Sequence, residues 1–120
     1  VWLDWLGLRQ GDAARGLNVA ERTLRAWLTG RDPIPVRVGD ELAAFDGVTA
    51  GIVDQVVDAL RSAADPAVVI YRDDAQMRAA APVSSVPIVS ASWWRMVVAR
   101  ATVEVPGVEI RYVDEVRPRE

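Results

Sequence analysis

The sequence predicts a mainly α protein with a small β element, an α+β chain, and three observations lead there. Apolar residues recur at three- and four-residue spacing through most of its length. Two brief runs, 67–71 and 108–113, are instead β-branched or alternating. Pro, Gly and Asp breakers separate these segments. With 120 residues and 51% hydrophobic content the chain can build one ordinary domain or two very small ones that share a core.

Taken in order, Trp2, Leu3 and Leu6 lie at helical spacing and form a first helix that covers the next two. Residues 10–30 read as two short helices joined by a tight turn, a unit that docks into a DNA major groove. Ala14 sits where the helices cross, and its small side chain lets the backbones approach. Asn18 falls at the turn, because Asn tolerates the left-handed conformation that ends a helix. Leu17, Val19, Leu24 and Trp27 become the shared core, Leu24 and Trp27 being three apart on one face. Glu21, Arg22, Arg25 and Ala26 are left facing outward.

Pro33 and Pro35 make 31–35 a connecting loop. Val38, Leu42 and Phe45 then give a helix over 36–45. Asp46-Gly47 is a turn dipeptide between apolar segments and divides the chain into 1–45 and 46–120. A helix over 48–64 carries a stripe of Val48, Ile52, Val56, Ala59, Leu60 and Ala63 until Asp65-Pro66 stops it. A mostly buried strand covers 67–71. Asp74 caps a short helix reaching 81, a loop with two prolines spans 82–90, and Ser92 caps a helix over 93–105. The stripe of that helix is Trp94, Val97, Val98, Ala101 and Val105, and Pro106-Gly107 ends it. A strand over 108–113 has one wetter face, Glu109 and Arg111. The tail, 114–120, is charged and frayed. Two strands and two main helices after residue 46 make an α+β or compact βαβ unit, and two strands alone make a poor sheet.

The chain has no cysteine and no histidine, which excludes disulfides, thiol nucleophiles, zinc fingers and imidazole acid–base chemistry. Neither an enzyme nor a metal, cofactor or small-molecule site is expected. Asp73-Asp74 is a poor carboxylate pair, since adjacent strand residues diverge and no third acid completes it. No apolar run approaches the roughly 18 residues of a membrane span, and the start lacks a signal pattern. A soluble cytoplasmic protein is expected, without membrane partners. The chain opens on Val rather than Met, which suggests that a few native residues precede it.

The net charge is −3, and all 14 basic residues are Arg. Their distribution is uneven. Residues 9–37 hold six Arg against three acids, whereas 46–120 hold eight Arg against eleven. The basic surplus places a nucleic-acid face in the first half. Exclusive Arg suits bidentate contacts to phosphate and guanine, although a GC-rich genome explains it equally.

Residues 10–30, followed by Arg31-Asp32-Pro33-Ile34-Pro35, resemble the Cro/repressor-type (XRE) helix-turn-helix, whose pattern runs Gln, small Ala, Gly-Val, Ser/Thr, apolar, Trp, Gly. The ending Trp27-Leu28-Thr29-Gly30-Arg31, with Ala91-Ser92-Trp93-Trp94-Arg95-Met96-Val97-Val98-Ala99-Arg100, resembles the YdiL-like branch that includes anti-CRISPR-associated regulators. Asn18 departs from the turn Gly of that pattern. Gly11 and Gly16 also enter a helix that normally has better formers, at roughly 1 kcal/mol each.

The resemblance implies that Glu21, Arg22, Thr23, Arg25 and Ala26 lie at base edges or nearby phosphates, with Arg22 able to fork onto guanine O6 and N7. Gln10 heads the first helix of the unit and can bind a phosphate. Arg31 and Arg37 flank the Pro-rich loop and can clamp the DNA backbone. Trp94, Val97, Val98 and Ile110 are expected at a homodimer interface. The expected function is a sequence-specific regulator of transcription, a repressor in a phage, prophage or autoregulatory setting, that occludes a promoter on double-stranded DNA. The competing reading is an antitoxin-like interaction module whose acidic second half binds a protein.

Overall fold

In the computed structural model, which describes residues 2–80 and 90–115, helix dominates and two short strands form the only β element among the described residues. This is the α+β class that the periodicity predicts. Helix α1 (Trp2–Trp5) and the turn after it bury Leu3, Leu6 and Leu8. Gly7 ends that turn at φ +66°, where a Cβ would lie 2.6 Å from Met96 Cβ and 2.9 Å from the Ser92 carbonyl oxygen. Only glycine lets the chain pass so close to another backbone.

Helices α2 (Gln10–Leu17) and α3 (Glu21–Leu28) flank the expected turn. Asn18 is left-handed at φ 57°, ψ 48°, and Val19 N–H reaches back 3.0 Å to the Ala14 carbonyl. Ala14, Leu17 and Leu24 are buried where the helices meet, and Val19 and Trp27 pack against them half-buried. The prolines end the next loop as expected, and Pro35 becomes the N-cap of α4.

Helix α4 (Val36–Ser62) runs unbroken through Asp46-Gly47, so the expected turn there does not form. The reason is long-range packing. Phe45, Thr49 and Ile52 share one face, and all are buried. Thr49 donates to the Phe45 carbonyl (2.8 Å) and accepts from Trp93 Nε1 (3.1 Å), while the Phe45 and Trp93 rings sit 5.9 Å apart. Those contacts outweigh the roughly 1 kcal/mol that a mid-helix glycine costs. The buried face is also rotated from the expected stripe. Thr49, Ile52, Val57 and Leu60 are covered, whereas Val48 is 44% exposed and Ala59 faces water.

Strands β1 (Ala67–Ile70) and β2 (Glu109–Tyr112) pair in parallel, Ala67 opposite Glu109 and Ile70 opposite Tyr112. Between them run α5 (Asp74–Ala80) and α6 (Ala91–Glu104), so the second half is the compact βαβ alternative. A 3-10 turn, Val113–Glu115, follows β2. Both caps fall one or two residues before their expected positions. Asp73, not Asp74, accepts from Gln76 N–H (2.8 Å), and Ser90, not Ser92, accepts from Trp93 N–H (3.2 Å). Of the expected loop over 82–90, residues 82–89 lie outside the described residues, as do residues 116–120 of the expected tail over 114–120.

Helix α6 is the hub of the interior. Trp93, Trp94, Val97, Val98 and Ala101 are all buried within the single chain. The expectation that Trp94, Val97 and Val98 form a dimer interface is therefore corrected: α4 and the sheet of the same chain cover them. Ile110 remains 45% exposed. One cluster joins Leu3, Ala14 and Leu24 to Phe45, Trp93 and Val97, across the sequence position where a boundary was expected.

Candidate nucleic-acid interface

Helix α3 presents the candidate surface, because its inner face is fixed by Leu24 against α2 and its outer face is left to solvent. Glu21, Arg22, Thr23 and Arg25 are all exposed. Ala26 is not. It is 4% exposed, and its carbonyl accepts from Asp32 N–H (3.2 Å), so the expected base contact at Ala26 is corrected to a packing role. Ala26 is one helical turn beyond Arg22 on the same side of α3, but the chain returning at Asp32 covers it and leaves Arg22 open.

The outward residues differ in how far their side chains are committed. A Cβ built on Gly11 would sit 3.1 Å from Glu21 Oε1, so the Glu21 carboxylate rests over the first turn of α2. Helix dipole and carboxylate attract there. Glycine at position 11, costly for the helix, leaves room for that carboxylate. Arg37 pairs with Glu41 one helical turn on, at 2.7 Å. Among the described residues, Arg22, Arg25 and Arg31 have no carboxylate within ion-pair distance. Gln10 is exposed at the start of α2.

Behind this face lies a polar cluster that joins the helix-turn-helix to the second half of the chain. Asp12 is 1% exposed and accepts from Arg9 Nε (3.0 Å), Arg9 Nη2 (3.1 Å), Arg9 backbone N–H (3.2 Å), Arg15 Nη2 (2.8 Å) and Ser90 Oγ (3.0 Å). Arg9 continues to Asp74 at 2.7 Å, and Asp74 accepts from Ala91 N–H at 2.8 Å. Ser92 donates to the Gly7 carbonyl (2.6 Å). Burial alone would raise the Asp12 carboxyl. The hydrogen bonds from Arg9 and Ser90, with the Arg9 charge, outweigh it and hold the group below the usual carboxylate range.

This cluster redraws the charge expected for the first half. Of the six Arg between residues 9 and 37, Arg9 and Arg15 face Asp12 and Asp74, and Arg37 faces Glu41. The positive surface contracts to Arg22, Arg25 and Arg31. Sequence reasoning missed the cluster, although half of it was legible: an acid three residues after position 9, at a helix start, has the spacing that bonds back to the cap N–H. The other half is contributed by residues more than sixty positions away. Asp73 and Asp74 serve as cap and ion-pair partner, and no group of three potential metal ligands occurs among the described residues.

No protein-family model matches the chain, and no curated protein matches it either.

Proposed function

We propose that the chain is a sequence-specific regulator that inserts α3 into the major groove of double-stranded DNA. The observation that carries this reading is the outer face of α3: exposed Arg22, Thr23 and Arg25 on a helix whose tilt is set by the Asn18 turn and a buried α2 contact. Arg22 and Arg25 are three apart and share one edge of the helix, so both can reach into one groove. Arg31 at the end of the unit supplies a phosphate contact, and Gln10 offers another at the start of α2. Glu21 acts by bracing α2.

Such a protein performs no chemistry. It represses by occupying a promoter, with phosphate contacts supplying most affinity and the α3 side chains supplying selectivity. One helix-turn-helix touches few base pairs, so two copies bind inverted half-sites. Among the described residues no helix is long and apolar enough to cross a membrane, in keeping with a cytoplasmic protein that meets DNA. Selection of bound duplexes from a random pool, followed by gel shifts at rising salt, tests the reading. A common half-site and an affinity that falls with salt are expected; no retained duplex at low salt would overturn it.

A second reading, a protein-interaction module, is favoured by one observation, which lies in the first half and not in the acidic second half that the antitoxin-like reading assigns to the partner. Leu28, Ile34 and Val36 are 41%, 50% and 81% exposed beside a shallow apolar groove of about 220 Å³ that includes Trp27 and Leu42. Failure of DNA selection together with capture of a defined protein ligand on this groove would favour it.

A further inference from the structure

We infer that two copies of the chain join edge to edge through β2, antiparallel and centred on Ile110, to make one four-stranded sheet. The inference deepens the two-copy part of the function proposed above and rests on that part alone. The two outer edges of the β1–β2 pair differ. In a parallel ladder alternate residues of each strand bond to the neighbour. Glu109 N–H donates to the Pro66 carbonyl (3.0 Å), so Glu109 and Arg111 turn their backbone groups toward β1, and Ile110 turns its N–H and C=O outward.

The outer edge of β1 is already occupied by α6. Trp94 Nε1 donates to the Val69 carbonyl (2.8 Å), and Arg95 Nη1 donates to the Tyr71 carbonyl just beyond the strand (2.6 Å). On β2 only the end is covered among the described residues, where Tyr112 N–H reaches Glu115 Oε1 (2.9 Å). Glu109, Ile110 and Arg111 are exposed, Ile110 at 45%. An open strand edge of this kind is a template for another strand.

The occupant that fits is β2 itself. Centring an antiparallel pair on Ile110 sets the outward N–H and C=O of each Ile110 against those of its partner copy. The same register places Glu109 opposite Arg111 of the second copy, twice, on one face. It places the two Ile110 side chains together on the other face. Within one chain Glu109 and Arg111 already contact each other, Arg111 Nε lying 2.7 Å from Glu109 Oε1. In the pair they become an alternating patch of four charges with no net charge. Opposite charges directly across an antiparallel pair attract, and like charges repel. A two-stranded sheet is marginal alone, and self-pairing doubles it.

Sedimentation of the full chain without DNA, with the reversals E109R and R111E, tests this. The unaltered chain is expected to be a dimer at micromolar concentration. Each single reversal sets like charges opposite each other at both crossings and should weaken association about tenfold. An equimolar mixture of the two variants restores opposite charges in the mixed dimer, and the double variant E109R/R111E restores them in its own; both should recover the original association. Both sites are exposed, and circular dichroism checks that the fold persists. A monomer at every concentration overturns the inference, as does a dimer indifferent to the single reversals, or one that the mixture fails to restore. Association of β2 with a strand of a different protein, in place of self-pairing, would also overturn it. DNA selection reads α3 independently, so a monomer that still selects a half-site would reject the edge pairing and leave the DNA reading standing.

Discussion

At Asn18 the backbone is left-handed, a conformation that costs other non-glycine residues roughly 1–2 kcal/mol. That one residue sets the angle between α2 and α3, and Asp12 then locks α2 to the start of α6. Asp12→Asn keeps the shape but removes the charge that Arg9, Arg15 and Ser90 face. Both arginines are more than 60% exposed and regain water, so the loss should fall at about 1–3 kcal/mol in urea denaturation at neutral pH. Because folding lowers the Asp12 carboxyl, its contribution is complete above the ordinary value of 3.8 and fades as pH falls through the lower folded value. The gap between native chain and variant should therefore close in acid; a gap that stays constant would show that charge plays no part. On the outer face, Arg22→Ala should reduce discrimination at one operator base pair by about 1–3 kcal/mol. Binding to selected and mutated half-sites measures it, and equal weakening on every sequence would make Arg22 a phosphate contact.

Among the elements, α4 shows how packing and propensity compete. Its glycines at 47 and 51 are exposed, and a Cβ at either would meet nothing within 4 Å. Gly47→Ala and Gly51→Ala should each stabilise the chain by about 0.5–1 kcal/mol, since alanine narrows the unfolded ensemble without straining the helix. Thermal melts of the single and double variants check this. A drop in melting temperature would mean that the helix is interrupted at Asp46-Gly47 after all. The N-terminus of α6 shows the opposite case, in which one serine does several tasks. Ser90 caps Trp93 N–H and donates to Asp12, so the helix start and the polar cluster depend on the same hydroxyl.

For the whole molecule, the decisive fact is that one apolar cluster draws on α1 to α4 and on α6 together. Trp93 touches both the buried Thr49 hydroxyl and the Phe45 ring, and Arg100 stacks on Trp5 with its guanidinium carbon 3.8 Å from the ring centre. Unfolding should thus be a single cooperative transition, with tryptophan fluorescence and far-ultraviolet circular dichroism changing at one denaturant midpoint. Two separated midpoints would show that 1–45 and 46–120 fold independently.

What the sequence determined by itself was local. The 3.6-residue period places α2, α3 and α6 close to their observed limits, the Asn18 turn and the Pro33–Pro35 loop follow from backbone sterics, and the exposed Arg22 and Arg25 follow from Leu24 facing inward. Each of these depends on neighbours within a turn or two of chain. The tertiary structure alone decided the rest. Whether Asp46-Gly47 breaks a helix depended on Trp93, 44 positions from the Thr49 it bonds. Whether Arg9 adds to a DNA-facing charge depended on Asp74, 65 positions away. Trp94, Val97 and Val98 form an apolar stripe that suits a core or an interface equally, and only the position of α4 and β1 shows that their own chain covers them. Periodicity identifies the face of an element that must be buried; what buries it is a property of the assembled chain.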